Sequence, residues 1–155
     1  MSGESLKSKK VEKKKKEESK KRELSFSEKS HIFFLKKYGF QLNQLIDLLD
    51  NVSTLRDFFS EQKEFFPSFP KQLKRLVSEI QFSLDRLHVE GTLLQWKVYE
   101  EYSSIKNALR LDEKPSSEIQ PEIKKEYQQL KESFEILSKK IKEYFSLLKE
   151  YSEKL

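Results

Sequence analysis

The sequence predicts an all-α protein, an antiparallel bundle of three long helices with coiled-coil-like packing and a disordered, basic N-terminal tail. Three observations predict it. Apolar residues return at alternating three- and four-residue steps through most of the chain, the spacing that lines one face of a helix. Glycines number three and prolines four, too few for the turn every 8–12 residues or so that a sheet protein needs. Prolines near residues 67–70 and 115–121 divide the periodic part into three segments of similar length.

A chain of 155 residues suits one domain, which at that size buries roughly 68–70% of its unfolded surface. Two domains would each be marginal. Charged residues make up 37% and apolar residues 35%, a polar balance against the usual ~25% and ~45–50%. The twelve Phe and six Tyr nevertheless fall in ordered stripes rather than scattered among the charges, so residues 25–155 are expected to fold as a single domain.

Residues 1–24 are different. Beyond the initiator they hold only Leu6, Val11 and Leu24 as large apolar residues, too little to offset the entropy of ordering, which predicts a disordered Lys-rich tail. The first helix is expected over about 27–66. Ser25 and Glu28 have capping-box spacing, and Leu35, Tyr38, Leu42, Leu45, Leu49 and Val52 make one stripe. Gly39 weakens that helix by about 1 kcal/mol without breaking the stripe. Polar residues around Ser53 leave two readings, one helix of about 40 residues or two joined there. Pro67-Ser68-Phe69-Pro70 ends the element, since proline disfavours helix before it and suits the first turn of the next.

The second helix is expected over about 70–111. Leu73, Val77, Ile80, Leu84, Leu87, Leu94, Val98 and Ile105 form a heptad seam with two flaws, Gly91 and Glu101. A polar linker with Pro115 follows, where Ser117 and Gln120 have the spacing of a second capping box. The third helix, about 121–155, carries the cleanest signal. Ile123, Tyr127, Leu130, Phe134, Leu137, Ile141, Tyr144, Leu148, Tyr151 and Leu155 alternate four- and three-residue steps without a miss. Its four aromatics are bulky for a two-stranded coiled coil, and Ile136, Phe145 and Leu147 widen the stripe. Both features favour three or more helices, with self-association into a larger bundle the nearest alternative.

The composition disfavours chemistry. With no cysteine there is neither a disulfide framework nor a thiolate metal site. Glycines occur only at Gly3, Gly39 and Gly91, which excludes a glycine-rich phosphate loop. No serine sits in a glycine-flanked elbow. Glu28-Lys29-Ser30-His31 and Asp85-Arg86-Leu87-His88 show carboxylate-x-x-histidine spacing, as a helical di-iron site uses. In an up-down bundle turning near Pro67, however, the two histidines sit roughly 20–25 Å apart, so both are read as structural or surface residues. Glu100 and Glu101 are adjacent along a helix and do not face each other. No run approaches the ~18 apolar residues of a membrane span, and the N-terminus is charged where a signal peptide is apolar. An intracellular protein, cytoplasmic or (in a eukaryote) nuclear, is the expectation. No enzyme, cofactor, metal or small-molecule substrate is expected.

Two segments are candidates for binding. The net charge of +5 lies entirely in the tail, where nine lysines and Arg22 face five glutamates; the remaining 21 basic and 21 acidic residues balance. Lys9, Lys10, Lys13, Lys14, Lys15, Lys16, Lys20, Lys21 and Arg22 are the candidate polyanion contacts, able to neutralise phosphates without reading sequence. The same string fits a nuclear-import type signal. The interspersed glutamates and the lack of aromatics for base stacking favour a solvated tail instead, and a membrane anchor would want apolar residues beside the charges. Around the first turn, Phe58, Phe59, Phe65, Phe66 and Phe69 either plug the end of the bundle or dock a partner. Phe65, Phe66 and Phe69 are the candidate partner-binding patch, with Phe69, between two prolines, expected to be the most exposed. Trp96, Tyr99 and Tyr102 lie off the main seam and are read as a second face touching another helix of the bundle; a bound partner helix is the alternative. The resulting expectation is a non-enzymatic interaction or scaffold protein that binds a protein partner or a second copy of itself. Its alternative is a nucleic-acid-associated protein that holds phosphates with the tail.

Overall fold

A computed structural model describes residues 24–154, apart from the side chains of Lys63, Phe65 and Phe66. Three long helices account for nearly all of it: α1 (Phe26–Gln62), α2 (Lys71–Arg110) and α3 (Pro121–Glu153), with a 3-10 turn over Lys63–Ser68 between the first two. No strand occurs among the described residues. Of the tail expected over residues 1–24, all but Leu24, with every basic candidate, lies outside the described residues, as does Leu155.

Local chemistry sets the boundaries. The Ser25 Oγ accepts the Glu28 N–H at 3.1 Å, as an N-cap does for one of the orphan donors of a helix start. α1 then runs unbroken through Ser53. The Thr54 hydroxyl donates back to the Asp50 carbonyl at 3.0 Å, so its hydrogen-bonding capacity is satisfied inside the helix rather than used to cap a new one. The end of α2 is a Schellman motif. Asp112 adopts a positive φ of 57°, its N–H reaches the Leu109 carbonyl, and the Glu113 N–H reaches Ala108 at 2.9 Å. α3 starts differently from the expected capping box. Gln120 caps it without a side-chain bond, and Pro121 fills the first turn, where a missing N–H costs nothing. Ser117 takes no part.

Side-chain contacts give the topology. α2 runs antiparallel to α1, with the Tyr102 hydroxyl near the Ser27 carbonyl at one end and Arg56 paired to Asp85 toward the other. α3 runs back parallel to α1. Tyr127 donates to Gln44, Tyr144 to Gln62 at 3.1 Å and Tyr151 to the Ser68 carbonyl at 2.9 Å. Tyr127 and Tyr144 therefore span from α3 to α1, and Tyr151 reaches the turn that follows α1.

Every residue of the predicted α2 seam is buried, and so are both of its flaws. Gly91 lies where a Cβ would meet the Leu49 side chain at 2.7 Å and Leu130 at 3.6 Å, so α1 and α3 both close on α2 at this level. Glu101, 7% exposed, shares the opposite end of the core with Tyr38. The α1 stripe is shifted at its edges. Phe34 and Leu48 are buried, whereas Leu35 is exposed and Leu49 is half-buried. Phe34 wins its place by packing edge-on against Tyr102, with ring centroids 5.5 Å apart.

Candidate interaction surface

The outer face of α2 carries an apolar stripe of its own. Phe82, Val89 and Trp96 recur every seven residues on the side of the helix opposite the seam. They are 70%, 56% and 63% exposed, and Leu93 beside them is 61% exposed. Ile136 of α3, 58% exposed, faces the same way. A buried seam and an exposed stripe on one helix mean that α2 is apolar on two opposite sides.

Between this face and α3 runs a groove of about 810 Å³, floored by Leu94 and Leu130 and walled by Leu93, Trp96 and Ile136. Phe82 extends it past Ile136 toward Lys140. Charges frame it. The Lys97 ammonium sits 2.9 Å from Glu122 and 2.5 Å from Glu126; these carboxylates, Glu126 foremost, hold it above its ordinary pKa. Arg86 pairs with Glu90 at 2.8 Å. Glu100 makes no ion pair among the described residues. The groove therefore has apolar walls and a charged rim.

The sequence-predicted positions fall elsewhere. Of the proposed aromatic patch, only the Phe69 side chain is described. Contrary to expectation it is not free but half-buried against Tyr151, with rings 6.3 Å apart. Phe59 is fully buried against Tyr144, and Phe58 stacks on Phe59 and Phe145, so these phenylalanines close the end of the bundle. The side chains of Phe65 and Phe66 lie outside the described set. Trp96 does not touch another helix as its spacing suggested: it is exposed, with Tyr99 edge-on beside it at 6.4 Å. Tyr102 alone of that trio packs on the core. Ile136 and Phe145, expected to widen the third seam, are also largely exposed.

His31 lies edge-on to Tyr102, and His88 is fourteen residues earlier along α2, roughly 21 Å of helix rise away. Among the described residues no group of three or more His, Asp or Glu is gathered as a metal would need, and no helix is long and apolar enough to cross a membrane. The buried polar pair at the other end of the core is Tyr38 and Glu101. The Tyr38 hydroxyl makes no well-formed hydrogen bond, with the Gln120 backbone and the Glu101 carboxylate among its polar neighbours. Burial pushes its pKa up to about 12; the Gln120 backbone amide opposes this and the Glu101 carboxylate adds to it.

Set against family models, curated proteins and solved structures, the chain matches none. The functional reading therefore rests on the surface itself. Phe82, Val89 and Leu93 were missed in the sequence, although a signal was there: Phe82, Val89 and Trp96 at seven-residue spacing opposite a seam that already accounts for the core, with Leu93 one turn from Val89.

Proposed function

We propose that this chain is a non-enzymatic interaction or scaffold protein that engages a helical protein surface through the outer face of α2 and its groove against α3. The observation that carries the reading is the clustering of Phe82, Val89, Leu93, Trp96 and Ile136 on one side. All five are 56–70% exposed and lie on one side of the bundle, the kind of clustered apolar surface that marks an interaction site. Scattered exposed residues such as Phe40 need no such explanation. The reading places the protein inside the cell, where a cysteine-free chain gives up nothing to a reducing environment. It is tested by in-cell cross-linking of the full chain against a Leu93→Glu/Trp96→Glu variant of matched helicity. Cross-linked protein species present with the natural sequence and lost in the variant are expected; an unchanged set refutes the reading.

One observation favours a second reading. The whole excess of positive charge sits in residues 1–24, which suits a phosphate-neutralising arm. Binding of the full chain and of residues 25–155 to duplex and single-stranded nucleic acid across a salt series tests it. Affinity that falls steeply with salt and vanishes on truncation supports the arm. Equal, background-level binding of both forms refutes it.

A further inference from the structure

Building on the interaction reading, we infer that the occupant of the outer α2 face is a second copy of this chain, docked antiparallel with its two-fold axis beside Val89. The spacing leads there first. Phe82 and Trp96 lie seven residues either side of Val89, so an isologous pairing that opposes Val89 to itself keeps the apolar stripe in contact over its whole length. Val89 is also close to the middle of Lys71–Arg110. An axis at that point overlaps α2 with its copy almost end to end, the arrangement that buries the most surface.

Charge agrees with the antiparallel direction. Arg75 continues the stripe seven residues before Phe82, its side chain 84% exposed and its guanidinium 3.5 Å from the Glu79 carboxylate of the same helix face, and Glu100, lining the groove near the helix end, makes no ion pair among the described residues. Rotation about Val89 brings the Arg75 of each copy within about one helical turn of the other's Glu100, twice by symmetry. The same rotation sets Phe82 beside the second copy's Leu93 at the mouth of the groove. A parallel pairing would set Arg75 beside Arg75 and Glu100 beside Glu100.

Apolar surface is available on both copies, since five residues 56–70% exposed would be covered twice by symmetry, toward the ~800 Å² per partner of a standard stable interface. The groove's charges of both signs suit a copy of itself better than a polyanion, which would be repelled by Glu90, Glu100, Glu126 and Glu132.

The test uses the absence of cysteine from the chain. In the full-length protein, Val89→Cys should give a disulfide-linked dimer under mild oxidation, because a residue on the two-fold axis faces its own copy. Ser103→Cys, at the far end of the same face, should not. Sedimentation equilibrium of the natural sequence should show a monomer–dimer equilibrium. Val89→Arg should weaken it at least tenfold without loss of helicity, since two arginines then meet on the axis. Arg75→Glu and Glu100→Arg should each weaken it, and their combination should restore it. A natural chain that stays monomeric at 100-fold increasing concentration, with Val89→Cys uncross-linked, overturns the second-copy proposal. The broader interaction reading then survives only if the Leu93→Glu/Trp96→Glu variant still loses cross-linked partners in the cell.

Discussion

The same substitution at two helical glycines should act differently, stabilising at Gly39 and not at Gly91, and the difference measures how closely the three helices meet. A glycine inside a helix costs about 0.8–1.0 kcal/mol relative to alanine. At Gly39 an added Cβ meets nothing within 4 Å, so Gly39→Ala should gain that full amount and raise the melting temperature by roughly 2–4 °C. At Gly91 the Cβ would stand 2.7 Å from Leu49 Cδ2, 3.4 Å from Leu49 Cγ and 3.6 Å from Leu130 Cδ2. Carbon atoms pack best at about 3.5–4.0 Å, so the Leu49 side chain must swing away or α1 must shift. Leu49 Cδ2 ends a flexible, half-buried side chain, so the cost falls at the low end of the ~1–3 kcal/mol typical of overpacking and offsets the propensity gain. Gly91→Ala should therefore be neutral to destabilising by about 1 kcal/mol. In a Leu49→Ala background the obstruction is gone and Gly91→Ala should stabilise, a coupling of about 1–3 kcal/mol in the double-mutant cycle. Urea titrations of the four chains read it directly. Equal stabilisation by both glycine substitutions, with no coupling to Leu49, would mean that α1 does not lie against Gly91 and that the packing described is wrong.

Other perturbations probe the core and its polar end. Leu84→Ala and Leu137→Ala, at residues 0% and 1% exposed, should each cost about 2–5 kcal/mol in chemical denaturation; a loss of a few tenths would take them out of the core. Glu101→Leu replaces a buried carboxylate in the α2 seam by an apolar group of similar size and should stabilise by about 1–3 kcal/mol; a clear loss on thermal melting would show that the carboxylate is well satisfied. Tyr38 stays protonated in the fold up to about pH 12, whereas the unfolded chain ionises it near 10. Its contribution is fully present below pH 10 and lost at roughly 1.4 kcal/mol per pH unit between 10 and about 12. Tyr38→Phe should flatten that part of the alkaline decline, leaving the part due to Tyr127 and Tyr144, whose pKa values burial also raises; an identical slope in the two proteins would contradict the burial of the hydroxyl.

The fold was legible wherever the periodic signal ran long. The α2 and α3 seams each extend over at least eight positions, and α2's are buried throughout. In α3 the seam is uneven: Ile123, Leu130, Leu137, Ile141 and Tyr144 are buried, whereas Tyr127, Phe134, Leu148 and Tyr151 are half-buried. The joint suspected near Ser53 was a false punctuation mark. A polar run breaks a helix only if its side chains find better partners outside it, and Thr54 finds Asp50 one turn back. The choice between Leu35 and Phe34 was not legible, since adjacent apolar residues differ by 100° of helix rotation and only Tyr102, 68 positions further on, decides between them.

The exposed stripe was harder for a physical reason. A helix that is apolar on two opposite sides can be the middle member of a bundle, with a neighbour on each side, and Trp96 was assigned on that logic. But three helices round one core place both neighbours on the same side of α2, about the line through Leu84, Gly91 and Val98. The missing side chain at Gly91 is what lets α1 and α3 converge there, and the Lys97 contacts to Glu122 and Glu126 hold α3 close beside that line. With both neighbours drawn to the seam, nothing within the chain's described residues is left to cover Phe82, Val89 and Trp96. An uncovered stripe with the same seven-residue period as a core seam has the geometry of a second seam, which the proposed second copy would complete.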